Sequence, residues 1–121
     1  MKRISIKTTN RRFYRDFLEV LKSRAPIDKL RPKELDVLAE IMYQHAQLIN
    51  YQKDERDDLL FSTRRRKDMR DLVGISEESF NNNLSILRKY GLITKDNRLN
   101  KSLETVVFKD KFSLEFLFIE E

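Results

Sequence analysis

The chain has 121 residues, no cysteine, two glycines, and a formal net charge of +5 from 25 Lys/Arg against 20 Asp/Glu. That length supports one hydrophobic core and is short for two domains. The missing cysteine excludes disulfides, thiolate metal sites and cysteine nucleophiles, and fits a reducing cytoplasm. Met1-Lys2-Arg3-Ile4-Ser5 is not followed by an apolar stretch of signal-peptide length, and the densest apolar run is Phe116-Leu117-Phe118-Ile119, so neither export nor a membrane span is expected. The charge is uneven. Residues 1–24 carry eight Lys/Arg against two acids, residues 25–60 five against eight, residues 61–101 ten against five, and residues 102–121 two against five. Basic blocks separated by acidic ones suit a polyanion meeting one side of the fold; solvated surface charge is the bland alternative.

Arg3 to Thr8 alternate, with Ile4 and Ile6 on one face, and predict a short strand. Asn10 can cap the helix that follows, in which Tyr14, Phe17, Leu18 and Leu21 form one apolar stripe and which stops before Pro26. A second helix, expected to be the longest, begins near Pro32 and runs through Leu35, Leu38, Met42, His45 and Ile49. His45, the only histidine, has no second ligand at metal-binding spacing and reads as structural. Lys53-Asp54-Glu55-Arg56-Asp57-Asp58 reads as a solvated loop rather than a Mg²⁺ site, and Leu59-Leu60-Phe61 as a short strand.

Ser62 or Thr63 caps a helix from Arg64 to Val73 that buries Met69, Leu72 and Val73. Gly74 and Gly91, the two glycines, read as helix C-caps, where positive φ is required. Between them Ile75 enters the core and Ser76 caps a helix from Glu77 to Tyr90. Ile93 to Lys95 and Arg98 to Asn100 flank Asp96-Asn97, which suits a two-residue hairpin turn. Thr105 to Phe108 and Phe112 to Ile119 predict two further strands around Lys109-Asp110-Lys111. The last is apolar on both faces, so the N-terminal helix or a second subunit must cover it.

The order strand, helix, turn, helix, hairpin over residues 59–101, with Asp71-Leu72-Val73-Gly74-Ile75-Ser76-Glu77-Glu78-Ser79-Phe80 and Leu84-Ser85-Ile86-Leu87-Arg88-Lys89-Tyr90-Gly91-Leu92-Ile93, resembles the winged helix-turn-helix family. The resemblance covers about a third of the chain and implies a single α+β domain over residues 1–121. Its winged helix-turn-helix core, residues 59–101, would be extended by an N-terminal strand and two helices in residues 1–58 and by a C-terminal β-hairpin in residues 102–121. It also implies binding of double-stranded DNA, with transcription regulation as the expected role.

At about 100 degrees per residue, Phe80, Leu84 and Leu87 share one face of the third helix, and Glu78, Asn82, Ser85 and Lys89 the opposite one, with Asn81 and Arg88 at the flank. Asparagine can pair with the N6 and N7 edge of adenine, serine is adaptable and a glutamate can accept from cytosine N4, so Glu78, Asn81, Asn82, Ser85 and Lys89 are the expected base readers in the major groove. Arg64, Arg65, Arg66 and Lys67 load the preceding helix start with cations, a placement the helix dipole disfavours by a few tenths of a kcal/mol each. Such a start marks a phosphate seat, and in the resembling family it approaches the DNA backbone. Pairing with the Asp54 to Asp58 stretch is the structural alternative.

Lys95, Arg98 and Lys101 belong to the expected wing, residues 94–101, which in the family touches the minor groove or flanking phosphates. Neutralising about six phosphates would weaken binding by roughly three decades between 50 and 200 mM salt. Arg11 and Arg12 repeat the pattern of cations at a helix start and extend the same track if they face the same side. A homodimer on a palindrome is the expected route to useful specificity. With no nucleophile and base pair, metal cluster or cofactor motif at recognisable spacing, neither an enzyme nor a cofactor nor a small-molecule ligand is expected. The competing class is a protein–protein interaction module, such as a bacteriophage assembly, packaging or polymerase-associated factor, favoured if Glu77 and Glu78 rather than Arg88 and Lys89 dominate the outer face.

Overall fold

The computed structural model describes residues 2–4, 9–106 and 114–116. Helix α1 (Asn10–Val20) starts one residue earlier than Asn10 as a cap would place it, because Thr9 is extended and its hydroxyl accepts the Arg12 N–H at 3.2 Å. Phe13, Tyr14, Phe17 and Leu18 line its buried face. Helix α2 (Pro32–Gln47) opens with proline at the first helical position, and Glu34 reaches back to accept the Arg31 N–H at 2.9 Å. It is buried almost all round because α1 and every later helix pack on it.

Helix α3 (Lys53–Leu60) replaces both the expected acidic loop and the expected strand at Leu59-Leu60-Phe61. Asp54 and Glu55 fall in its first turn, where the dipole favours anions, and Asp57 and Leu60, three residues apart, are its buried positions. Helix α4 (Thr63–Val73) is capped by Ser62, and helix α5 (Glu77–Lys89) by Ser76. Met69 is fully buried and Val73 partly so, whereas Leu72, about 60 degrees round the helix from Met69, is 55% exposed rather than in the core.

Both glycines end helices as expected, with φ of +80° at Gly74 and +72° at Gly91. The Ile75 N–H returns to the Arg70 carbonyl at 3.1 Å and the Leu92 N–H to the Leu87 carbonyl at 2.9 Å, as the left-handed C-cap requires. A Cβ at Gly74 would meet nothing within 4 Å, so Gly74→Ala carries only the backbone penalty of the left-handed region. That cost is expected at about 1–2 kcal/mol in urea denaturation, with Gly74→Asn smaller.

The α+β architecture with a two-stranded wing is corrected by these elements: the described residues form six α-helices, and the expected wing contains one isolated bridge, Ile93 with Leu99. Its loop spans three residues instead of two. The Asn97 N–H returns to the Thr94 carbonyl at 3.0 Å, the Thr94 N–H reaches the Arg98 carbonyl at 2.7 Å, and Asn97 takes φ of +59°. Past Leu99 the Asn100 N–H still reaches the Leu92 carbonyl at 3.0 Å, but the Leu92 N–H is taken by the Leu87 carbonyl, and the Asn100 side chain accepts the Ser102 N–H at 2.8 Å and caps the short helix α6 (Lys101–Glu104), so the ladder ends there.

Strand β1 (Lys2–Ile4) pairs antiparallel with β2 (Leu114–Phe116) in the register Lys2 with Phe116, Arg3 with Glu115 and Ile4 with Leu114. The pairing seen thus joins the two ends of the chain. Thr105 and Val106 follow α6 outside any strand, and the remainder of the strands expected at 3–8, 105–108 and 112–119 lies outside the described residues.

Hydrogen bonds between helices set their directions. Arg15 Nε donates to Asp36 Oδ1 and Arg11 Nη2 to Glu40 Oε1, both at 2.8 Å, so α1 runs antiparallel to α2. Lys33 Nζ donates to the Val73 carbonyl at 3.2 Å and Arg65 Nη1 to Gln44 Oε1 at 2.6 Å, so α4 runs antiparallel to α2 as well. Helices α1 and α4 therefore start at the same end of α2. No described helix is long and apolar enough to cross a membrane.

Candidate nucleic-acid interface

Phe80, Leu84 and Leu87 seat α5 in the core. The opposite side places Glu78, Asn81, Asn82, Ser85 and Lys89 together in solvent, as the helical projection requires. Ser85 Oγ donates to the Asn81 carbonyl at 3.2 Å. Arg88, half-buried at the edge of this strip, donates from Nη2 to Ser85 Oγ at 3.3 Å and from Nη1 to Asn97 Oδ1 at 2.6 Å. It thereby ties the 94–98 loop to α5. Lys89 Nζ lies 5.5 Å from the centre of the Tyr90 ring. Glu77 and Glu78 are also exposed, so the strip is acidic at its first turn and basic at its last, the polarity that complements the helix dipole.

The four cations at the start of α4 divide into two pairs. Arg64 and Lys67 are exposed, and Lys67 Nζ stands 3.9 Å from Asp71 Oδ2 in a surface pair of small energetic weight. Arg65 is half-buried on Gln44, and Arg66 Nε donates to the Phe61 carbonyl at 2.9 Å with its guanidinium 5.8 Å from the Phe61 ring centre. The acidic stretch instead supplies Asp57, whose buried Oδ2 lies 3.5 Å from Arg98 Nε. Arg98 is thus held toward α3. Lys95 is exposed on the loop, and Lys101 belongs to α6 rather than to a wing.

Three features had no sequence expectation behind them. Asn83 is buried on α5, with Nδ2 donating to the Ser79 carbonyl at 2.7 Å. Asp57 is buried in a stretch whose composition reads as solvent-facing. Glu40 and Gln44 link α1 to α4: Glu40 Oε1 accepts from Arg11 and from Gln44 Nε2 at 3.0 Å, and Gln44 Oε1 accepts from Arg65. The helical spacing of Glu40 and Gln44 on α2 is legible, but the helices they meet are not.

His45 is buried near the end of α2, with Nε2 3.8 Å from Glu104 Oε2. Burial, reinforced by the Arg56 guanidinium, holds its imidazole below the ordinary value, while the Glu104 and Asp57 carboxylates pull the other way. A histidine that resists protonation in the native state contributes stability that is complete above its unfolded value of about 6.5 and is lost as pH falls from there through the lowered native value. Urea midpoints are therefore expected to drop between pH 7.5 and 5 in the wild type and to vary less in His45→Gln. Among the described residues no group of His, Asp or Glu could hold a metal ion. The chain matches no protein-family model, no curated protein and no solved structure.

Proposed function

We propose that the chain is a cytoplasmic, non-enzymatic double-stranded DNA-binding protein, a small transcriptional regulator that enters the major groove with α5. The observation that carries this reading is the exposed polar strip Glu78, Asn81, Asn82, Ser85 and Lys89 on a helix whose other face is fully seated. Its side chains match base-edge chemistry, and its capped ends keep the helix short enough to enter a groove. Arg64 and Lys67 on α4 and Lys95 on the loop supply exposed charge for phosphates, which position without specifying sequence. A homodimer would place two such helices on a palindrome.

The competing reading, a protein–protein module, has two observations in its favour: Glu77 and Glu78 are both exposed while Arg88 is half-buried, and Leu72 stands exposed beside an open cleft of about 310 Å³ among α1, α2 and α4. Fluorescence anisotropy against an enriched duplex pool and a random duplex separates the two. Asn82→Ala is expected to weaken the enriched duplex by about 1–3 kcal/mol and leave the random one unchanged. Equal loss on both duplexes removes the base-reading role, and no binding at 50 mM salt moves the assignment to the protein module.

A further inference from the structure

Beyond α5 the 94–98 loop closes on itself. The Thr94 N–H reaches the Arg98 carbonyl at 2.7 Å, the Arg98 N–H reaches Thr94 Oγ1 at 3.1 Å, and the Asn97 N–H returns to the Thr94 carbonyl at 3.0 Å. A loop bonded in this way moves as one unit, and two side-chain contacts tie it to neighbouring helices. Arg98 Nε lies 3.5 Å from the buried Oδ2 of Asp57 on α3, and Asn97 Oδ1 accepts from Arg88 Nη1 on α5 at 2.6 Å. The second is a short, charge-assisted hydrogen bond.

Arg88 also has a partner in the exposed strip. Its Nη2 donates to Ser85 Oγ at 3.3 Å, while the Ser85 hydroxyl donates to the Asn81 carbonyl at 3.2 Å. One planar guanidinium thus joins Asn97 on the loop to Ser85 on the helix. Lys95 is exposed and stands two residues from Asn97, within about 7 Å along the chain, which places it near the Ser85–Lys89 end of the strip. Glu78 lies seven residues before Ser85, about 10 Å back along α5. At the loop end Arg88, Lys89 and Lys95 stand against Asp96, and Asp57 offsets Arg98. So small a cationic excess acts only at short range, and its contribution depends on where Lys95 is held.

We infer that Arg88 is a positioning residue, which fixes the 94–98 loop against the C-terminal half of the α5 strip so that Lys95 meets the phosphates flanking the bases the strip reads. The inference rests on the DNA-binding reading and adds to it a residue that itself contacts no base. Arginine suits the role because its fork reaches two acceptors at once; a lysine in its place keeps the charge and loses the fork.

The test is a pair of double-mutant cycles on the full chain, read as affinity for a random duplex over a salt series. Lys95→Gln is introduced into wild type, into Asn97→Gly and into Arg88→Lys. Glycine accepts the φ of +59° at position 97 and removes only the side-chain acceptor. In wild type Lys95→Gln is expected to weaken binding several-fold and to reduce the salt slope by about one. In either of the other two backgrounds it is expected to change affinity by less than about two-fold, because Lys95 is no longer held in place. Lower stability alone reduces the folded fraction equally with and without Lys95, so it leaves the Lys95→Gln effect intact. Direct phosphate contact by Arg88 also leaves it intact, since Arg88→Lys retains the charge. A full Lys95→Gln effect in either background, or none in wild type, overturns the positioning role while duplex binding stands. If the wild type binds no duplex at 50 mM salt, both fall together.

Discussion

Phe80→Ala is expected to cost about 3–5 kcal/mol, the largest single effect of any substitution considered. Phe80 is fully buried and is the largest side chain through which α5 joins the core, beside Leu84 and Leu87. Its loss removes the apolar area of a whole ring and leaves a cavity that the well-packed neighbours on α2 cannot fill without moving. A domain of this size holds about 5–15 kcal/mol in total, so the variant should be unfolded or close to it at 37 °C. Urea denaturation followed by circular dichroism measures the loss. Asn82→Ala, exposed on the other side of the same helix, is the control and should fall within about 0.5 kcal/mol of wild type. A loss below about 1 kcal/mol for Phe80→Ala would mean that α5 is not seated as described.

Duplex affinity is expected to fall by about two decades between 50 and 200 mM salt, less than the three decades that a count of cations in the sequence implies. The difference is structural. Of the seven cations expected to meet phosphate, Arg65 and Arg66 are half-buried on Gln44 and the Phe61 carbonyl, and Arg98, although exposed, is held 3.5 Å from buried Asp57, while Arg64, Lys67, Lys95 and Lys101 are exposed with no buried partner. Four neutralised phosphates give a slope near −3.6 and six a slope near −5.4, a difference that anisotropy titrations at four salt concentrations resolve. The double variant Arg64→Ala/Lys67→Ala is expected to remove about two from the slope and to weaken enriched and random duplexes alike. A slope near zero would exclude phosphate contact as the source of affinity.

Much of the helical framework is legible in local pattern. Tyr14, Phe17 and Leu18 recur at helical spacing, Pro32 opens α2, Ser62 and Ser76 sit where caps belong, and both glycines take the left-handed angles that end a helix. The errors fall where a local signal has two meanings. An acidic hexapeptide reads as a loop by composition, yet the same carboxylates stabilise a helix start once Leu60 has a core to enter. Two or three alternating residues on each side of Asp96-Asn97 read as a wing, yet Asn100 has a second use as a helix cap and the chain leaves the ladder after one bridge.

The sequence alone determined which face of α5 is polar, because a helix of known register carries its own apolar stripe: Phe80, Leu84 and Leu87 leave Glu78, Asn81, Asn82, Ser85 and Lys89 only one direction to point. Tertiary structure decided which cations have a buried partner. Arg65 meets a glutamine on α2 and Arg98 an aspartate on α3, while Arg11 and Arg65 converge on one buried pair from opposite halves of the chain. A side chain's partner across the core is set by how helices pack, and periodicity within one helix carries no record of that.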